Sequence, residues 1–203
     1  MPQPRLITET RQLLVEGRDA ETFFTALIRS MGVTGLQVQD FGSMYELPAF
    51  LKAFRITPGF AATVTSLGIV RDAEFDPRAA FNSVRSAQHN AGLPTPARPE
   101  AAAEGSPRVN VLILPDANSP GMLETLCLQA VAADPVLPCI DSFFVCVEEK
   151  MGSLPINMEK ARAHAFLASR PKPDLLIGQA ANAGYWPWGD PAFDHVKRFL
   201  LDL

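Results

Sequence analysis

The chain has 203 residues, of which 47% are hydrophobic and 20% are charged. It is long enough to bury a substantial core and is expected to form one domain over residues 1–203. The formal net charge of −4 argues against binding of nucleic acid by bulk electrostatics, because proteins of that class are usually basic. Any contact with DNA or RNA would have to be local or bridged by metal ions.

Neither a membrane helix nor an export signal is predicted. No apolar run reaches the roughly 18–20 residues that a membrane helix needs, and the stretch MPQPRLITETRQ lacks the apolar core of a signal peptide. We therefore expect a cytoplasmic protein. The three cysteines, Cys127, Cys139 and Cys146, form no closely spaced pair, which argues against a zinc site and favours buried, reduced thiols.

Strands and helices are predicted to alternate along the chain. Apolar runs and alternating patterns predict strands at 11–16, 36–42, 62–74 and 108–116. Helical spacing predicts helices at 19–31, 44–54, 77–91, 119–134, 138–151 and 157–170, followed by a last helix in which Phe193, Val196, Phe199 and Leu200 face inward. Asp19 and Asp76 are expected to cap the helices that begin there.

The remaining segments predict a loop and a helical C-terminal part. The Pro- and Ala-rich stretch at about 93–107 has almost nothing to bury and is expected to be a flexible loop. The chain from about 138 to 203 is expected to be helical, with Ile140, Phe143, Phe144 and Val147 on one face of its first helix. Tyr185, Trp186 and Trp188 lie among prolines without interleaved basic residues, which favours a packed aromatic plug over a base-stacking surface. His164 and His195 have no partner visible in the sequence and are interpreted as structural.

Alternating strands and helices predict an α/β domain with a mainly parallel central sheet flanked by helices. Ligands of such sheets bind beyond the carboxyl ends of the strands. Three predicted strands end there in acids, namely Glu16, Asp72 with Glu74, and Asp116. Acids that converge on one edge repel one another unless a cation or their own protonation relieves the repulsion.

Carboxylate clusters without His or Cys favour Mg²⁺ or Mn²⁺ over zinc. Such ions can activate a water molecule and stabilise the leaving oxygen of a phosphoryl displacement. The competing interpretation is that each acid caps the next helix, which we favour for Asp19 and Asp76. Capping explains Glu16 poorly, because Glu is a weak N-cap residue and Gly17 follows it.

Two motifs resemble the TOPRIM domain, which is found in topoisomerases, bacterial primases, recombination-repair proteins and nucleases of the OLD (overcoming lysogenization defect) type. LLVEGRDAETFF (13–24) is similar to the Glu-Gly motif at the end of the first TOPRIM strand, and LGIVRDAE (67–74) is similar to the later Asp-x-Asp motif. The segments LPDANSPGMLETL and IGQAANAGYWPW resemble small stand-alone TOPRIM-like proteins. The resemblance implies a TOPRIM-like Rossmannoid fold over most of the chain.

The resemblance also implies roles for particular residues. Glu16 would be a metal ligand or general acid/base, Asp72 would be the first acid of Asp-x-Asp, and Glu74 stands where a second Asp is expected. That departure moves the carboxylate by one methylene and puts a second metal position in question. Further metal ligands would come from Asp19, Glu21, Asp116 or Glu124, and Lys160 would steady the charged transition state.

The expected function is a Mg²⁺- or Mn²⁺-dependent nuclease or related phosphoryl-transfer protein that contacts DNA or RNA through metal ions. The alternative is a non-catalytic TOPRIM-like module that binds metal, nucleotide or a separate protein partner. The acidic charge and Glu74 favour the alternative. No GxxxxGK[ST] loop is present, and VEGRDA is not the GxGxxG of a dinucleotide-binding reductase.

Overall fold

The computed structural model describes residues 2–203. Its strands are Arg11–Val15 (β1), Leu36–Asp40 (β2), Ser66–Asp72 (β3) and Arg108–Leu114 (β4). They form one parallel sheet in the order β2-β1-β3-β4. The predicted α/β class with a parallel central sheet is confirmed.

Helices flank this sheet. They are Gly17–Ser30 (α1), Leu47–Arg55 (α2), Phe60–Thr63 (α3), Pro77–Asn90 (α4), Leu123–Ala130 (α5), Leu137–Met151 (α6), Met158–Ala168 (α7), Ile177–Asn182 (α8) and Asp194–Leu201 (α9), with a 3₁₀ turn at Pro191–Phe193. The strand predicted at 62–74 begins later, at Ser66, because the short helix α3 precedes it. The helix predicted at 119–134 begins at Leu123, because the preceding residues form a loop.

Two hydrophobic cores lie on opposite faces of the sheet. Leu13, Val15 and Val70 pack with α1 and the helices from α5 onward, whereas Leu14 and Ile69 pack with α2, α3 and α4. This division follows from the alternation of side chains along each strand. Because the chain runs from β1 outward to β2 and then returns past β1 to β3, the strand order reverses between β1 and β3. Ligands of such sheets bind at this point, and we refer to the region at the carboxyl ends of β1 and β3 as the crevice.

The C-terminal aromatic residues pack against the first core, as predicted. Trp186 is buried, donates its indole N–H to the carbonyl of Ile177 at 2.9 Å and stacks on Phe166. Trp188 meets the edge of Phe23 on α1. The inward-facing residues of the last helix, Phe193, Val196, Phe199 and Leu200, are all buried. These contacts fasten the C-terminal part to the helix that follows β1.

Two expectations about α6 are wrong. Ile140 and Phe144 are buried, but Phe143 is 55% exposed, because α6 packs chiefly against α7 and therefore buries only a narrow stripe. Cys139 and Cys146 are also exposed, while Cys127 on α5 is buried. All three cysteines are free thiols.

The predicted loop at 93–107 runs beside the edge strand β4. Glu100 donates its backbone N–H to Val111, and Ala103 and Val109 exchange two backbone hydrogen bonds. The loop thereby covers backbone groups that an edge strand would otherwise expose. Within residues 2–203, no helix combines the length and apolar character needed to cross a membrane.

Candidate functional site

Glu16 lies at the junction of β1 and α1, and its side chain does not cap that helix. The backbone N–H of Met44 instead donates to its carboxylate at 2.9 Å. The following residue, Gly17, has a φ of +86°, and Asp40 at the end of β2 accepts the N–H of Gly17 at 2.9 Å. Asp40 therefore fixes the sharp turn that presents Glu16 at the sheet edge.

Asp72 is the last residue of β3, on the other side of the strand-order reversal. Its carboxylate accepts the backbone N–H of Leu123, the first residue of α5, at 3.0 Å. Burial, together with the negative charges of Glu124, Glu16 and Glu74, raises the pKa of Asp72 to about 8. The hydrogen bond from Leu123 acts in the opposite direction but is outweighed. Asp72 therefore holds a proton near neutral pH unless a positive charge approaches.

Glu124 and Lys160 complete the same neighbourhood from two helices. Burial raises the pKa of Glu124, although its own backbone N–H and the charge of Lys160 oppose the shift. The Lys160 ammonium lies 4.0 Å from the Glu124 carboxylate, and the Lys160 side chain is 54% exposed. The same ammonium also acts to lower the pKa values of Glu16 and Asp19. From the edge of the crevice, Lys160 thus acts to lower the pKa values of three carboxyl groups, those of Glu16, Asp19 and Glu124.

Asp19 is close to this group, but its carboxylate is engaged elsewhere. It accepts the backbone N–H of Gly178 in α8 at 2.8 Å and also bonds to the backbone of Ile177. Glu16 occupies the N-cap position of α1, so the prediction that Asp19 caps its own helix is wrong. Asp76 does cap α4 as predicted, accepting the N–H groups of the two residues that follow Pro77.

Glu74 lies beyond Asp72 in a left-handed backbone conformation with a φ of 54°. Its backbone exchanges two hydrogen bonds of 2.8 Å with Gly121, which precedes α5. The Glu74 side chain is exposed, yet its charge contributes to raising the pKa values of Glu16 and Asp72. It therefore borders the crevice rather than lying inside it.

The structure does not bring Glu21 and Asp116 to the other acids. Glu21 forms an ion pair with Arg5 on the β2 side of the molecule. Asp116 accepts the N–H groups of Asn118 and Ser119. Burial acts to raise the pKa of Asp116, but these hydrogen bonds outweigh it and the pKa is lowered. Neither acid is among the leading charges that act on Asp72.

Arg71 and Asp40 lie beside the acidic residues without belonging to the proposed ligand set. Arg71 points to the opposite face from Asp72, where its guanidinium contacts Ser83, the Ala80 carbonyl and the Met44 sulfur. It does not form an ion pair with an acid among residues 2–203, but its charge acts to lower the pKa of Glu16. Asp40 is not among the site residues predicted from the sequence. Its position at the end of the LQVQD strand pattern is the signal that would have identified it.

A model of one protein family matches most of the chain. The family is DUF3226, described as a protein of unknown function, and the match spans residues 10–203. The chain belongs to the DUF3226 family. Searches of the curated proteins and of the solved structures both find no match. The family assignment covers both acidic motifs and the C-terminal helices, and it leaves the activity to be inferred from the site.

The side chains fit a hard divalent cation by donor type but are not gathered as a complete ligand set. No group of three or more His, Cys, Asp or Glu side chains within residues 2–203 is arranged to hold a metal ion. Mg²⁺ commonly keeps several waters and takes only one or two protein carboxylates. Asp72 with Glu16 or Glu124 would meet that smaller requirement.

Proposed function

We propose that this DUF3226 protein is a metal-dependent nuclease or related phosphoryl-transfer protein of TOPRIM type acting on DNA or RNA. The observation that carries the proposal is that Glu16 and Glu124 lie close enough to the buried carboxyl of Asp72, at the end of β3, for their charges to raise its pKa. Burial is the main cause of a raised pKa in all three groups. Neighbouring acids add to it: Glu16 and Glu124 act on Asp72, Glu74 acts on Glu16, and Asp19 acts on Glu124. Acids whose surroundings disfavour the ionised form destabilise the folded protein when they ionise. Such acids are typical of sites that bind a cation or transfer protons.

Asp72, with Glu16 or Glu124, would hold Mg²⁺ or Mn²⁺ in this proposal. The ion would supply activation of a water molecule and neutralisation of phosphate charge. Asp72 is oriented by the Leu123 N–H, and Glu16 is oriented by the Met44 N–H, so neither carboxyl depends on the ion for its position. Lys160 places a positive charge at the edge of the crevice, where a phosphate would approach.

A non-catalytic module that binds metal, nucleotide or a protein partner is the second candidate. Two observations favour it: the described residues lack a preassembled three-ligand group, and Glu74 is exposed beside the crevice instead of pointing into it with Asp72. In that case the cation would bind without hydrolysis of a phosphodiester. The cytoplasmic location expected from the sequence stays a prediction.

Thermal unfolding with Mg²⁺, Mn²⁺ and Ca²⁺ tests the metal site. We expect Mg²⁺ or Mn²⁺ to raise the melting temperature of the wild type at pH 8, and Asp72→Asn to lose that increase. Glu16→Gln and Glu124→Gln then identify the second ligand, because the variant that removes it should also lose the increase. Glu21→Gln is the matched control, because Glu21 lies on α1 outside the crevice and should keep the wild-type response. A wild-type response that survives in Asp72→Asn would place the ion elsewhere and overturn the proposal.

Cleavage of plasmid and single-stranded DNA or RNA in Mn²⁺ then separates the two candidates. Cleavage that Asp72→Asn abolishes supports the nuclease. Cleavage that is identical in wild type and Asp72→Asn would come from a contaminant. Cation binding through Asp72 without cleavage of any of these substrates would favour the non-catalytic module.

A further inference from the structure

A cavity of about 310 Å³ opens beside the acidic crevice. Its walls are the loop after β3 and the segment that leads into α7. The residues that line it include Glu74, Phe75, Met122, Ile156, Met158 and Glu159. Pockets for small ligands range from about 300 to 1,000 Å³, so this cavity suits one small ring system.

Two large apolar side chains at this cavity are almost fully exposed. Phe75 is 90% exposed and Ile156 is 104% exposed, so nothing within residues 2–203 covers them. Exposed apolar groups that cluster beside polar ones mark binding surfaces more often than isolated ones do. The cavity therefore offers an aromatic face on one wall and an aliphatic side chain on the other.

The loop that carries Phe75 is held in place by its backbone. Glu74 keeps its left-handed conformation through the two hydrogen bonds to Gly121. Gly121 itself has a φ of +136° and leaves no room for a side chain, since a Cβ would lie 2.7 Å from the Thr125 hydroxyl. Backbone strain of this kind costs stability and clusters at functional positions. Here it presents Glu74 and Phe75 outward at the cavity.

We infer that this cavity is the subsite for one unpaired base of a single-stranded nucleic acid. This inference rests on the proposed function and extends it to the class of substrate. The ring of Phe75 would stack on the base, as exposed aromatic side chains do in single-strand binding proteins. A base inside a duplex is already stacked and paired, so only an unpaired or extruded base can enter.

The carboxylates of Glu74 and Glu159 make the subsite selective among bases. A carboxylate accepts hydrogen bonds from the exocyclic amino groups of cytosine, adenine and guanine. Thymine and uracil present no amino group. Glu74 is thereby assigned to recognition of the base. The adjoining phosphate would lie toward Lys160, the residue after Glu159.

Fluorescence anisotropy with labelled 12-nucleotide homopolymers in Ca²⁺ tests the subsite. We expect the wild type to bind oligo-dC and oligo-dA more tightly than oligo-dT and more tightly than a duplex. Phe75→Ala should weaken binding by about tenfold, because the base loses the aromatic ring on which it stacks. Phe75→Tyr should restore it. Glu74→Gln should reduce the preference for dC over dT.

Ile56→Ala is the control, since Ile56 is similarly exposed but follows α2 away from the crevice. Phe75→Ala binding equal to wild type, or no binding of any oligonucleotide by the wild type, would overturn the subsite. An apolar surface of this kind that recognises a protein instead would give that second result. The proposed function is tested separately, by whether Asp72→Asn loses the increase in melting temperature that divalent cations cause. Phe75→Ala keeps all crevice carboxyls and should retain the metal-dependent increase in melting temperature.

Discussion

Asp19 of the first motif accepts the backbone N–H of Gly178, 159 residues later, at 2.8 Å. The contact joins the start of α1 to the start of α8, and these two helices pack closely. Gly178 allows this approach, because a Cβ at that position would lie 2.4 Å from the Asp19 carbonyl oxygen and 2.6 Å from Cβ of Thr22. Asp19 therefore acts as the cap of a distant helix.

Gly178→Ala and Asp19→Ala should each lower the free energy of unfolding. The added methyl group meets backbone at Asp19, and such overpacking costs about 1–3 kcal/mol. Loss of the Asp19 cap costs about 1 kcal/mol. Urea denaturation monitored by circular dichroism measures both changes.

Two variants provide the comparison for this contact. Asp19→Asn keeps an oxygen acceptor for the Gly178 N–H and should be more stable than Asp19→Ala. Gly189→Ala should be close to wild type, because a Cβ at Gly189 has no neighbour within 4 Å. Equal destabilisation of Gly178→Ala and Gly189→Ala would contradict the close packing of α1 on α8.

Stability should fall as pH rises from about 4 to about 8 in the absence of divalent cations. The pKa of Asp72 is raised from 3.8 to about 8 in the folded protein, so the folded state holds a proton that the unfolded chain releases. The stabilisation is fully present below pH 3.8 and is lost as pH rises through about 8. The loss amounts to at most about 1.4 kcal/mol per pH unit. Burial raises the pKa values of Glu16 and Glu124 in the same direction.

Asp72→Asn should flatten this pH dependence, because an amide does not titrate. Urea unfolding at pH 5, 6, 7 and 8 would measure it. Asp134→Asn is the control, since hydrogen bonding and ion pairing with Arg170 lower the pKa of Asp134 and leave it ionised over the whole range. A slope in Asp72→Asn as steep as that of the wild type would show that Asp72 is ionised in the folded protein.

The sequence predicts the acidic motifs at the sheet edge but not the direction of every side chain. Glu16 and Asp72 end apolar strands, and the parallel arrangement of those strands follows from the alternation of strands and helices. The bonds of Asp19 to α8 depend on how the C-terminal helices dock, which no local pattern encodes. The pairing of Glu21 with Arg5 likewise depends on the path of the N-terminal segment over β2.

Gly121→Ala should destabilise the protein more than Gly152→Ala does. Both glycines have positive φ, but a Cβ at Gly121 would meet Thr125 at 2.7 Å and Pro115 at 3.0 Å, whereas a Cβ at Gly152 would have no neighbour within 4 Å. We expect a loss of about 2–4 kcal/mol for Gly121→Ala from strain and overpacking. For Gly152→Ala we expect about 1 kcal/mol from the backbone alone. Thermal unfolding of the two variants measures the difference, and equal losses would contradict a close contact at Gly121.

Lys160→Ala should leave stability nearly unchanged and reduce cleavage strongly if the proposed function is correct. The Lys160 side chain is 54% exposed, whereas its partner Glu124 is 15% exposed, and the ion pair spans 4.0 Å. A pair this long with one solvated partner contributes at most about 1 kcal/mol. A positive charge that faces a developing phosphate charge contributes about 100-fold or more to the rate.

Cleavage rates in Mn²⁺, measured beside urea denaturation, separate these two effects of Lys160. Lys160→Arg keeps the positive charge and should retain more activity than Lys160→Ala. Lys197→Ala removes a lysine that pairs with Asp194 at 3.2 Å on α9, and it should cleave like the wild type. If Lys160→Ala cleaves as fast as Lys197→Ala, the Lys160 ammonium only lowers the pKa values of the neighbouring carboxyl groups and takes no part in cleavage.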